Sequence, residues 1–160
     1  MFIISFKTTA KKVFITLGVV LLVCCVALAI SVLGSGQPEA AQCAGKNYSL
    51  LADDNKSRTD FLRQFGWETG DDPVSYKTVT IPFTFNDVYE NYNKIQLSQG
   101  LDLTPYKGKQ CESYTYQISN YPYDGEVYAN MLIYNGCVIG GDICSFELDG
   151  FMYGFCGKQE

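Results

Sequence analysis

From Val13 to Leu33 the chain is almost wholly apolar, broken only by Thr16, Gly18 and Ser31 and by no charge. A helix needs roughly 20 such residues to cross a bilayer core of about 30 Å, so this run is long enough to span one. Beyond it the apolar positions recur at shorter periods. "RTDFLRQFGW" places Phe61, Leu62 and Phe65 on one helical face, with Ser57 as cap, Asp60 at the capping-box spacing and Gly66 as the stop. "VSYKTVTIPF" reads as a strand rich in β-formers that ends at Pro82. "FNDVYENYNKIQLSQG", opened by Thr84 and Asp87 and closed by Gly100, repeats Phe85, Val88, Tyr89, Tyr92 and Ile95 at helical intervals.

Three strand-like runs follow: "CESYTYQIS", "EVYANMLIY" and "CVIGGDICSF". Asn135-Gly136 between the last two predicts a two-residue hairpin, because both residues accept the positive φ of a type I′ turn. That turn pairs Tyr134 with Cys137, Leu132 with Ile139, Asn130 with Gly141 and Tyr128 with Ile143. Gly140 and Gly141 then mark a bulge or a close backbone approach. No helix start or Lys-Ser/Thr follows them, so they are not a phosphate loop.

With Asn120 opposite Glu126, one sheet face carries Tyr114, Tyr116, Ile118, Tyr128, Leu132, Ile139 and Ile143, the natural surface for both helices. The other carries Ser113, Thr115 and Gln117 beside Val127, Ala129, Met131, Ile133 and Val138, with Asp142 at its end. Half of that face is too apolar for open water, so it is covered either by the C-terminal "GFMYGF" or by a partner. The expected fold is α+β: two helices on one face of a mostly antiparallel sheet of about four strands, preceded by a transmembrane helix.

Charge sets the topology. Lys7, Lys11 and Lys12 precede the apolar run and the first charge after it is Glu39, which by the positive-inside rule leaves the N-terminus in the cytoplasm. The expected order is a cytoplasmic N-terminus (1–12), a transmembrane signal anchor (13–33), a flexible tether rich in small and polar residues (34–55) and an extracytoplasmic domain (56–160). A cleaved signal peptide has a shorter apolar core, about 7–15 residues, and ends at a small-x-small site that "GSGQPEAAQ" does not supply. All 17 acids but only nine of the 12 bases lie beyond the anchor, and that net −8 repels phosphate backbones. Nucleic acid is therefore not an expected partner.

The order "IPFTF", "VYENYNKIQLSQGLDLTPYKGK", "YTYQISNYP", "VYANMLIYNG", "VIGGD" and "GFMYGF" resembles domain of unknown function 4830, found in exported, single-anchor proteins of Gram-positive bacteria. The resemblance covers about Ser57 to Phe155; it implies architecture and location and brings no catalytic residue.

Candidate chemistry is sparse. The chain has no histidine, the commonest general base and metal ligand. Five cysteines, Cys43, Cys111, Cys137, Cys144 and Cys156, follow the anchor in no zinc-like spacing. They read as small apolar residues with one candidate bridge, Cys144 to Cys156. No cofactor and no metal site is expected. The leading expectation is a non-catalytic binding module at the cell surface, docking a protein partner through Met131 and Ile133 with Asp142 at the end of their face. Two other readings stand beside it: a wall hydrolase using Asp142 with a second acid, and wall-glycan recognition through Tyr121 and Tyr123 in the loop around Pro122.

Overall fold

The computed structural model describes residues 40–43 and 45–157. The expected anchor at 13–33 and the segment before it lie outside these residues. Among the described residues no helix is long and apolar enough to cross a membrane.

Order begins well before Lys56. β1 (Ala40–Cys43) and β2 (Lys46–Ser49) form an antiparallel hairpin. Cys43, Tyr48, Leu50 and Ala52 are all buried, so most of the stretch expected to be a tether is part of the fold. Small and polar composition concealed this, because the hairpin buries only its few apolar positions.

α1 (Asn55–Arg63) starts a turn earlier than Ser57. Asp54 is the cap: its carboxylate accepts from the Ser57 N–H at 2.6 Å, while Ser57 Oγ accepts from the Asp54 N–H at 2.9 Å. α2 (Asp87–Ser98) is capped by Asn86, which accepts from the Tyr89 N–H at 3.0 Å.

The main sheet has five antiparallel strands in sequence order, one more than expected. They are β3 (Ser75–Thr80), β4 (Gln110–Ile118), β5 (Val127–Tyr134), β6 (Cys137–Cys144) and the short β7 (Met152–Tyr153). The β5–β6 turn is as expected, with Asn135 at φ 49° and Gly136 at φ 76°. A bulge follows: Ile133 faces Val138 but Leu132 faces Gly140, leaving Ile139 over. Every later pair is displaced, and Asn130 faces Asp142 instead of Gly141.

Between β4 and β5, Ile118 faces Val127 and Tyr114 faces Met131. This is one residue away from the register read from the sequence, and such a slip moves a strand's side chains to the other face. Tyr116 and Ile118 therefore join Val127, Ala129, Met131 and Ile133 in one apolar cluster with Phe61 and Leu62 of α1, Tyr48 and Leu50 of the hairpin segment, and Phe155. The opposite face gathers Leu132, Ile139, Cys111, Ile81 and Leu103, with Phe85 just before α2 and Tyr89 and Tyr92 within it packed against them. The helices thus lie on opposite faces of the sheet, which corrects the single-face arrangement. Val88, read as part of α2's apolar stripe, is exposed.

Beyond the two residues that β7 pairs, α2 and its C-terminal cap residue Gln99 complete the edge of β6. Gln96 Oε1 accepts from the Gly141 N–H at 2.8 Å, and Gln99 Nε2 donates to the Gly141 carbonyl at 2.9 Å. Gln99 Oε1 also accepts from the Phe155 N–H at 2.7 Å. Both glutamines are almost wholly buried. Their amides take the place of a neighbouring strand, and Gly140 leaves room for the first of them: a Cβ there would lie 3.2 Å from Gln96 Oε1.

Candidate functional site

Of the residues singled out in the sequence, Asp142 lies in one place and Tyr121 and Tyr123 in another. Met131 and Ile133 are at neither, since they are 0 % and 2 % exposed beneath α1 and Phe155. The face proposed for docking is the core of the molecule, and its half-apolar character reflects the register slip in β4.

Asp142 lies on the α2 side, 3 % exposed, at the centre of a polar cluster. Its Oδ2 accepts from the Tyr92 hydroxyl at 2.9 Å and its Oδ1 from Asn130 Nδ2 at 2.9 Å. Asn130 also meets Cys144 Sγ at 3.2 Å and accepts from Thr115 Oγ1 at 2.8 Å. Burial pushes the Asp142 carboxyl above the ordinary carboxylate range, against the pull of the hydrogen bonds from Asn130, Tyr92 and Cys144. Burial and the neighbouring carboxylate push the Cys144 thiol up to about 12 and hold the Tyr92 hydroxyl well above its usual value. Cys144 and Tyr92 therefore keep their protons at neutral pH, and the whole cluster is enclosed and hydrogen-bonded within itself. It ties α2 to β4, β5 and β6.

Cys144 is a free, buried thiol. The disulfide joins Cys43 to Cys156, which corrects the expected Cys144–Cys156 pair. With β1 read as tether, Cys43 could not be recognised as part of the fold. Among the described residues, no group of three or more Cys, Asp or Glu is placed to hold a metal ion.

The second place is a row of aromatic rings built from three segments. Trp67 stacks on Tyr121 at 5.3 Å between centroids, Tyr121 on Phe151 at 5.0 Å, and Phe151 on Tyr153 at 5.1 Å. Tyr123 meets Phe151 edge-on at 5.3 Å, and its hydroxyl donates to Glu147 at 3.2 Å. All five rings are half-buried. Trp67 is held from below, its indole N–H donating to the Phe155 carbonyl at 2.7 Å. The loop from Ser119 to Glu126 is anchored by Asn120, whose side chain donates to the Gly66 carbonyl at 2.7 Å and accepts from the Glu68 N–H at 3.0 Å. Tyr121 is flanked by two rings and Phe151 by three, so an incoming molecule meets the ends of the row, Trp67 and Tyr153, and the flank that carries Tyr123. Sequence reading found Tyr121 and Tyr123 through their proline-containing loop. It missed Trp67, Phe151 and Tyr153, whose one signal was the aromatic density of "GFMYGF".

Taken together, these features define an antiparallel α+β domain with a sealed polar cluster under one helix and an accessible aromatic row at one end of the sheet. The chain belongs to the family described as Domain of unknown function (DUF4830), which matches residues 61–143. The match runs from α1 to the end of β6 and leaves out the β1–β2 hairpin, β7 and both bridged cysteines. No curated protein and no solved structure matches the chain.

Proposed function

We propose that this protein is a membrane-anchored, extracytoplasmic, non-catalytic binding module whose contact surface is the aromatic row Trp67–Tyr121–Phe151–Tyr153 with Tyr123 on its flank. The observation that carries this reading is the row itself: five half-buried rings converge from separate segments, with a hydroxyl and a carboxylate at the rim. Half-buried Tyr and Trp rings combine a large apolar area with a polar tip, the chemistry that recognises the apolar faces and hydroxyl rims of sugars. Wall glycan is the ligand class that the row fits best.

Docking of a protein through Met131 and Ile133 loses its support, because both are core residues. The non-catalytic reading is supported by the absence of histidine and by the enclosure of Asp142, the acid on which a hydrolase was argued. The anchor over 13–33 supplies the membrane attachment, and the acidic exterior argues against nucleic acid. The test is sedimentation of the solubilised full chain with purified wall sacculi. The wild type is retained, and Tyr121→Ala/Tyr123→Ala stays in the supernatant with an unchanged circular dichroism spectrum. Release of soluble sugar by the wild type, abolished in Asp142→Asn, would instead establish a hydrolase.

A further inference from the structure

The Cys43–Cys156 bond lies outside the family match and apart from the aromatic row. It links β1 to the segment after β7, 113 residues away in sequence. Among the described residues β1 pairs with β2 and no other strand. β2 and the residues after it are tied to the body repeatedly. The Tyr48 hydroxyl donates to the Gln99 carbonyl, the Gln64 amide brackets the Ser49 backbone at 2.8 and 3.2 Å, and the Val138 N–H reaches the Leu50 carbonyl at 2.8 Å. β1 buries only Cys43. Apart from the backbone that leads into β2, the disulfide is therefore its covalent tie to the rest of the described domain.

That bond is not sealed. Both cysteines line a cleft of about 410 Å³ together with Lys46, Tyr48, Gln64 and Phe65. Cys43 is 4 % exposed, whereas Cys156 is half-buried, so Cys156 is the sulfur that an entering thiolate meets. The Lys46 ammonium at the wall favours the approach of an anion.

We propose that Cys43–Cys156 is a thiol–disulfide exchange site open to a dithiol reductant, and that its cleavage releases β1 while the main sheet stays folded. The thiolate of the reductant attacks Cys156 Sγ, a new S–S bond forms, and Cys43 leaves as a thiolate that takes up a proton. The second thiol of the reductant then attacks the mixed disulfide and expels Cys156 as a thiolate, which is protonated in turn. Two electrons pass to the protein, and the dithiol is oxidised to its own disulfide. The main sheet survives because its five strands are paired without β1 and its two clusters take from β1 only the buried Cys43 and the half-buried Ala41.

The test uses the full chain in detergent micelles. Free thiols are first blocked, dithiothreitol is added under native conditions, and newly exposed thiols are alkylated and located by mass spectrometry, with hydrogen exchange followed in parallel. The expected result is alkylation of Cys43 and Cys156, with β1 amides exchanging at least roughly tenfold faster while β4 and β5 keep their protection. Three results would overturn the proposal: reduction only once β4 and β5 lose protection, alkylation of both cysteines before any reductant is added, or unchanged β1 exchange after complete reduction.

Discussion

Asp142 shows at the residue scale how enclosure fixes the behaviour of an acid. Its carboxyl is raised above its unfolded value by burial. The stability contributed by its proton is therefore fully present below the unfolded pKa, about 3.9, and is lost as pH rises through the folded value. Asp142→Asn cannot ionise and keeps the shape of the side chain, so its stability relative to the wild type should climb as pH rises above about 4. Melting temperatures of both proteins as a function of pH measure this, and parallel profiles would contradict it. Asp142 was recognisable in the sequence as a strand residue after two glycines. Its partner was not, because the extra residue at Ile139 shifts Asn130 from Gly141 to Asp142 and nothing in "CVIGGD" marks which residue is squeezed out.

Register decides the picture at the scale of elements. The β5–β6 turn, both helices and the strand runs were legible, since Asn-Gly turns and helical spacing act locally. The β4–β5 register depended on an eight-residue loop whose Pro122 and Asp124-Gly125 mark a turn without fixing which residues pair across it, and a slip of one residue exchanged core for surface. Met131→Ser, on an open face, would leave folding intact; in the observed core it should cost about 3–5 kcal/mol, read by urea denaturation. The buried glutamines of α2 were illegible for another reason: polar residues on an amphipathic helix are expected to face water, whereas Gln96 and Gln99 serve the unpaired edge of β6. Gln99→Leu leaves the Gly141 carbonyl and the Phe155 N–H without their partner, and should destabilise the domain by about 2–4 kcal/mol in the same assay. A loss below about 0.5 kcal/mol would show that the edge does not need this amide.

Over the whole molecule, the family match, the hairpin and the aromatic row divide the chain into parts with different duties. The stretch from Phe61 to Ile143 supplies four of the five strands of the main sheet and most of both apolar clusters. The hairpin and the C-terminal segment are clasped to each other through Cys43 and Cys156, and the C-terminal segment also contributes Phe151 and Tyr153 to the row. That division was hidden in the sequence, because rings from residues 67, 121, 123, 151 and 153 converge only once the sheet has formed. Trp67, the sole tryptophan of the chain, stands at one end of the row and so reports on the surface proposed to bind. The most direct test is to titrate the solubilised full chain with soluble wall-glycan fragments and follow Trp67 fluorescence. The account predicts a saturable change that disappears in Tyr121→Ala/Tyr123→Ala. A flat titration of the wild type, or the same saturation in both proteins, would contradict it.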